Sequence, residues 1–309
     1  MNNWQLETPV AFIIFNRPDN TERVFAEIAK AKPPKLLVIA DGPRSDRLGE
    51  AEKCLAVREI IDRVNWECEV LKNYSEVNLG CKQRVSSGID WVFDQVEEAI
   101  VLEDDCLPDP TFFRFCQEML ARYRNDDRIG MVSGDNFQFN RKRGDASYYF
   151  SRYNHIWGWA SWRRAWSYYD LHASTWPVIR DGNYFRGLVN DSNEYKYWLK
   201  AFDSVYENAI DTWDYQWTLS LWAQGMLTVI PNVNLISNIG FGSEATHTRG
   251  GSIFSTMTLE TMRFPITHPQ IFLRNYEADA FTASKMFTSS IWVKVINKIY
   301  ATIKMIFKK

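Results

Sequence analysis

The residues best placed to do chemistry are Glu103, Asp104 and Asp105, three adjacent carboxylates inside IVLEDDCLPDP (100–110). An apolar run enters the triplet and a proline-rich turn closes it. Like charges this close repel by roughly a few kcal/mol unless something positive sits among them. The simplest such charge is a divalent cation. Carboxylate oxygens are hard ligands that favour Mg2+ or Mn2+ over zinc, and no paired histidines or cysteines accompany them. One or two carboxylates leave most coordination positions open, as expected where substrate phosphates complete the shell. A nucleoside diphosphate is therefore the expected ligand. Acids also favour surface turns and helix N-termini, so the triplet alone does not decide.

A second candidate group lies in DTWDYQWTLSLWAQG (211–225). Trp213, Trp217 and Leu221 fall at helical spacing, and a carboxylate flanked by tryptophan, Asp214, would lose water and gain basicity. Such a group suits taking a proton from an attacking hydroxyl. Asp211 is the reserve for this role. Either aspartate also reads as a helix N-cap. Upstream, YNHIWGWASWRRAW (153–166) offers two uses for its rings. Trp157, Trp159, Trp162 and Trp166 fit a core, with some of them free to form a platform for a sugar, while Arg163 or Arg164 would meet a lipid-linked diphosphate.

These residues need elements to hold them. PVAFIIF (9–15) ends at Asn16-Arg17-Pro18, and helical spacing follows over 21–31. KLLVIADGP (35–43) repeats the scheme, with a helix expected over 47–63. CEVLKN (68–73), a loop at 78–80, a helix over 83–96 and AIVL (99–102) make further cycles. This alternation predicts α/β with a mainly parallel sheet. Ligands of such sheets bind outside the carboxyl ends of the strands, where Arg17, Asp41 and the acidic triplet all fall. Taken singly, Asp41 could merely start the Asp-Gly-Pro turn and Arg17 be solvated. Loops are expected over 141–146 and 180–193.

Composition narrows the partners. A formal net charge of -2 leaves no footprint for a polyanion, so nucleic acid is not expected. The five cysteines show no CxxC spacing and suggest reduced thiols inside the cell. No P-loop or GxGxxG run follows a strand, which removes support for an ATPase or a dinucleotide-dependent dehydrogenase. The start MNNWQLETPV lacks a signal-peptide pattern, and no run reaches the ~18 apolar residues of a spanning helix. A cytoplasmic place is expected. The end, 289–309, carries lysines at 294, 298, 304, 308 and 309, no acids, and apolar residues at helical spacing from Trp292 to Ile306. It reads as a basic amphipathic helix lying on the inner face of an anionic membrane, or docking a partner chain.

The acidic triplet followed by a proline turn and TFFRFCQEML resembles the nucleotide-sugar-dependent glycosyltransferases of the GT-A fold, most nearly the N-acetylglucosaminyltransferase I type. MVSGDNF (131–137) is similar to that family's Val-Ser-Ala-Trp-Asn-Asp stretch, IWGWASWRRAW (156–166) to its Gly-Trp-rich acceptor segment, DTWDYQW (211–217) to its Trp-Asp-Asp-Trp stretch, and FGSEATHTRGG (241–251) to its Ser-His loop near the phosphates. Cys106 and the extra residue in WDYQW depart from the pattern. The resemblance implies a GT-A, Rossmann-like, mainly parallel sheet flanked by helices, with 1–288 as one catalytic domain. Residues 1–134 would bind the nucleotide sugar, 135–288 would supply the acceptor side and the base, and 289–309 would be the tail.

On this resemblance Asp105 would ligate Mn2+ or Mg2+, with His247 as a second ligand. Asp104 would reach the ribose and Glu103 the donor sugar or ribose. Asp41 and Arg17 would meet the base, and Lys82 and Arg84 would contact base and phosphate. The implied activity is metal-dependent transfer of a sugar from a nucleoside-diphosphate sugar to a hydroxyl of a glycan or lipid-linked acceptor with inversion, as in cell-surface polysaccharide synthesis. Two other classes remain open: a sugar nucleotidyltransferase, which needs a glycine-rich basic first loop where this chain has NRPDN, and a non-catalytic carbohydrate-binding protein.

Overall fold

A strand covered on both faces must be apolar at every position, and VAFII meets that demand. In the computed structural model, which describes residues 4–189, 191–240 and 257–287, this run is β1 (Val10–Ile14), buried along its whole length. It is followed by α1 (Pro18–Ala31), β2 (Lys35–Ala40), α2 (Glu50–Ile61), β3 (Glu69–Tyr74), α3 (Gly80–Gln95) and β4 (Glu98–Glu103). Next come β5 (Cys106–Pro108), α4 (Thr111–Tyr123), β6 (Ile129–Ser133), β7 (Tyr148–Ser151) and β8 (Trp159–Trp162). The aromatic region continues as α5 (Arg163–Trp166), α6 (Trp176–Asp181), α7 (Tyr184–Leu188), α8 (Ser192–Tyr206) and α9 (Asp214–Ala223). The described chain closes with β9 (Leu227–Pro231), β10 (Ile236–Asn238) and α10 (Tyr276–Met286).

The central sheet has eight strands in the order β3-β2-β1-β4-β8-β6-β9-β7. β3, β2, β1 and β4 are parallel, β6 and β9 share their direction, and β8 and β7 oppose it. The architecture is therefore α/β, Rossmann-like, with a mainly parallel sheet between helices. A small antiparallel pair, β5 with β10, sets Asn238 opposite Cys106. That pairing draws residues 238–240 to the acidic triplet.

Alternate residues of β1 face opposite sides of the sheet. Val10, Phe12 and Ile14 pack with Val24 and Ile28 of α1 and with Phe112 of α4. Ala11 and Ile13 pack with Ile89 of α3 and with Trp159, Trp213 and Trp217. A third cluster joins Trp176, Trp198, Phe202 and Trp222 from α6, α8 and α9. The predicted helical spacing of Trp213, Trp217 and Leu221 is thus the buried face of α9 and the turn before it.

Tryptophans dominate the core rather than a platform. Trp159, Trp162 and Trp166 are all buried, and Trp157 is partly buried. Arg163 and Arg164, expected to meet a lipid-linked diphosphate, are spent elsewhere. Arg163 binds the Phe93 carbonyl and Glu97, and Arg164 donates to the carbonyls of Tyr123 (2.8 Å), Arg124 (2.8 Å) and Ile129 (3.0 Å). Both follow Trp162, which pairs with Glu98 at the start of β4, so they lie at the sheet edge opposite the acidic triplet.

Several boundaries differ from the sequence reading. α3 begins at Gly80 rather than 83, because carboxylates from distant elements cap it, as described below. β4 runs on to Glu103, which pairs with Ile13, so the first acid of the triplet belongs to the strand. The 180–193 stretch holds the end of α6 and the whole of α7, pinned by Trp176 and Phe185 in the aromatic cluster.

Gly158 shows how tightly the second half packs on the first. Its φ is 61°, and a Cβ there would stand 2.5 Å from Ile236 Cδ1. Gly158→Ala is expected to cost about 2–4 kcal/mol, combining the left-handed backbone with overpacking. Urea denaturation checks this; an unchanged midpoint would contradict it.

Candidate active site

The parallel strands bring their carboxyl ends to one edge, where β1, β2 and β4 deliver Arg17, Asp41 and the acidic triplet. Only residues 15–17 link β1 to α1, and Pro18 keeps Arg17 out of the helical region, at φ -120° and ψ 76°. The Arg17 carbonyl accepts from Thr21 N (2.9 Å) and Oγ1 (2.8 Å), which fixes the start of α1.

Arg17 supplies the positive charge that the triplet requires. Its Nη2 meets Asp104 Oδ1 at 2.7 Å and its Nη1 meets Asp105 Oδ2 at 2.8 Å. Burial opposes the charge on Arg17, but Asp104 and Asp105 outweigh that and hold its pKa above the ordinary value. The expectation that a cation alone answers the repulsion is therefore amended: the chain carries its own counter-ion. Asp104 is buried and also accepts from Phe15 N (3.2 Å), so within the described residues it ties β1 to β4. Burial raises the pKa of both Glu103 and Asp104; Asp105 and Asp104 add to the rise at Glu103, whereas Arg17 opposes it at Asp104.

Asp105 is open to a further ligand. Its side chain keeps 14% exposure, and its Oδ1 faces the Cys106 thiol at 3.5 Å, a weak donor. A divalent cation held by one or two protein carboxylates fits these residues on one condition, that Arg17 yields its place at Asp105. Among the described residues, no group of three or more His, Cys, Asp or Glu converges to hold a metal ion. His247 lies outside the described residues, as does the tail 289–309.

The opposite wall is the N-terminus of α3. Asp41 accepts from Leu79 N (2.9 Å), Gly80 N (3.1 Å) and Asn78 Nδ2 (3.0 Å), and Asp211 accepts from Cys81 N (3.0 Å) and Lys82 N (2.8 Å). Two carboxylates far apart in sequence thus satisfy consecutive donors that a helix start leaves open. Burial raises the Asp41 pKa, and these N–H bonds oppose the rise. Asp211 is a cap, as one reading held, but of α3 rather than α9. Asp211→Ala is expected to cost about 1 kcal/mol of stability through the lost cap, read as a lower urea midpoint.

The expected basic contacts are differently placed. Arg84 is buried, with Nε on the Ala40 carbonyl (3.2 Å) and Nη2 on Asn73 O (2.6 Å) and Oδ1 (2.8 Å), so it ties the ends of β2 and β3. Lys82 Nζ donates to Asn208 Oδ1 at 2.9 Å.

Asp214 opens α9, and the Thr212 hydroxyl donates to its carboxylate. Its charge contributes to the raised pKa of Glu103 and of Cys81, which places it electrostatically within the acidic site. Cys81 is pushed up by burial first, then by Glu103, Asp214, Asp211 and Asp41, so its thiol stands where all four acids act. Glu103, Asp105 and Asp214 are partly exposed, while Asp104 is not.

Sequence reasoning missed Asp135 and His155. Both are buried at this same edge, after β6 and before β8, with Asp135 Oδ2 at 3.6 Å from His155 Nδ1 and Phe137 stacked on the imidazole at 4.4 Å. Burial raises the Asp135 pKa, and His155 opposes the rise. The signal was present: Gly-Asp after an apolar run repeats the strand-end pattern of Asp41.

No family model matches the chain, and no curated protein matches it. Among solved structures, it is similar to TarS of S. aureus, with 9% identity over 74% of this chain and 59% of that one, at a TM-score of 0.40. The chain therefore spans about three fifths of that structure. It is also similar to the inositol-1-phosphate CTP transferase of T. maritima (9% identity, 74% and 86% of the two chains, TM-score 0.36). A third likeness is to the 4-diphosphocytidyl-2C-methyl-D-erythritol synthase of Anaerococcus prevotii (10% identity, 74% and 90%, TM-score 0.34). Likenesses this distant assign no chemistry.

Proposed function

We propose that this chain is a glycosyltransferase that moves a sugar from a nucleoside-diphosphate sugar to a hydroxyl of a glycan or lipid-linked acceptor. The observation that carries the reading is the meeting of Arg17, Glu103 and Asp105 with Asp214 at the carboxyl edge of a mainly parallel sheet. Departure of a nucleoside diphosphate gathers negative charge on the phosphate and positive charge on the sugar ring, so the enzyme must serve both. Asp105 would hold Mg2+ or Mn2+, with His247 as the second ligand. When bound, such an ion stabilises the charge on the leaving phosphates.

The remaining work falls to side chains. Glu103 would orient donor hydroxyls, and Arg17 would meet the donor's anionic part. Asp214 would take the proton from the attacking hydroxyl. One base opposite the leaving group suffices for inversion, with no covalent intermediate. Asp41 and Asp211 shape the wall by capping α3, and Asp135 with His155 completes the buried floor of the edge.

The rival readings lose ground on particular residues. A nucleotidyltransferase must wrap a triphosphate after its first strand, whereas residues 15–17 pass directly into α1 with Arg17 already engaged. A sugar-binding module would present its tryptophans, whereas Trp159, Trp162, Trp166, Trp213 and Trp217 are buried. Incubation with UDP-, GDP-, dTDP- and CMP-sugars, with and without Mn2+, tests the proposal. Slow metal-dependent release of UDP, GDP or dTDP supports it; release of CMP alone, or of pyrophosphate from a nucleoside triphosphate and a sugar phosphate, would replace it.

The basic, amphipathic 289–309 segment would hold the enzyme on the inner face of an anionic membrane, close to lipid-linked acceptors. No described helix is long and apolar enough to cross a membrane. The full chain is expected to sediment with phosphatidylserine vesicles and a chain ending at 288 to stay in the supernatant; equal sedimentation would remove the tail from this role.

A further inference from the structure

Arg17 already holds one oxygen of each aspartate that a cation would share. It spans both aspartates, with Asp104 Oδ1 at 2.7 Å and Asp105 Oδ2 at 2.8 Å. A guanidinium stays charged at every working pH, so this counter-ion cannot be removed by titration. It can only move. Gly240, brought in by the β5–β10 pairing, closes over the pair: a Cβ there would overlap Asp105 Oδ2 and stand 2.9 Å from Arg17 Nη1. A cation reaching that oxygen must therefore replace the guanidinium rather than sit beside it. Two positive centres at such separations also repel.

The geometry points to an exchange: Arg17 is the built-in counter-ion of the acidic run, and a divalent cation engages Oδ2 of Asp105, and so the full carboxylate, only as Arg17 releases it. The two contacts of Arg17 are unequal in setting. Asp104 is 3% exposed in its side chain and is also bonded to Phe15 N, whereas Asp105 keeps 14% exposure. Asp105 is thus the partner that can be given up, and Asp104 the one that retains the arginine. The nitrogen so freed is a charged donor that needs an anion, and the fork geometry of guanidinium suits phosphate oxygens. Metal and diphosphate consequently favour each other. Metal alone is opposed by loss of the Arg17–Asp105 bond, and a diphosphate gives Arg17 a replacement for it. This inference rests on the donor-site reading proposed above.

Titration with Mn2+ alone, followed by the electron paramagnetic resonance of the free ion, tests the exchange in wild type, Arg17→Gln and Arg17→Lys. Arg17→Gln is expected to bind Mn2+ at least about tenfold more tightly than wild type, with Arg17→Lys between them, because lysine keeps the charge but not the two-pronged hold. Adding UDP, GDP or dTDP to wild type is expected to close the gap. Removing Arg17 leaves two acids without their partner, so the Gln variant should melt earlier, and the Mn2+-induced rise in Tm, larger in both variants than in wild type, gives a second readout that survives a weakened fold. Equal Mn2+ affinity in wild type and both variants overturns the exchange and leaves the donor-site reading standing. No Mn2+ binding in any of them, with or without the diphosphates, overturns that reading and the exchange with it.

Discussion

Asp214→Asn is expected to keep donor affinity while lowering transfer by about 10²–10⁴-fold, the span that general-base catalysis supplies. The asparagine keeps an oxygen for the Thr212 hydroxyl, so the start of α9 should hold its shape. Trp213 and Trp217, both buried in the core beneath, hold that turn against the sheet. What the substitution removes is a carboxylate whose charge is felt at Glu103 and Cys81. Donor affinity by calorimetry and the initial rate of nucleoside diphosphate release at saturating donor and acceptor separate the two effects. Normal turnover in this variant would put the base elsewhere.

Asp105→Ala is expected to abolish the Mn2+-dependent part of donor binding, a loss of at least about 10²-fold in affinity, because a metal on the leaving phosphates is worth several kcal/mol. The fold should tolerate it. Arg17 retains Asp104, and Asp104 retains Phe15 N, so β1 and β4 stay tied. Asp104→Ala makes the contrast: it strips the buried partner of Arg17 and of Phe15 N, and breaking a buried pair costs about 3–5 kcal/mol. Calorimetry with Mn2+ and donor, beside a urea melt of each variant, resolves the two aspartates. Unchanged metal-dependent binding in Asp105→Ala would contradict the assignment.

How much of this was legible beforehand depends on whether a residue's partner lies near it in sequence. The strands from VAFII to AIVL and the helices between them were readable because each is a local pattern of apolar spacing, and the sheet rule then located Arg17, Asp41 and the acidic triplet at one edge. Their roles at that edge were not readable. The contact of Arg17 with Asp105 spans 88 residues of sequence, and no spacing rule announces it. Asp211 was read as the reserve base or as a cap of the helix that follows it, yet the fold turns it toward α3. The short strand WASW was hidden because its tryptophans read equally as core or platform. Arg84 and Arg164 looked available for phosphate because sequence shows a charge but not the backbone carbonyls that occupy it.

The proposed function requires that the acidic edge receive a sugar donor's diphosphate together with a cation. Anomalous diffraction from crystals grown with Mn2+ and the donor selected by the release assay measures this directly. The expected map has a manganese peak on Asp105 with diphosphate oxygens bound to it, and Arg17 turned from Asp105 toward the phosphates. Arg17 still gripping both aspartates, with the donor absent or bound at another face, would contradict it.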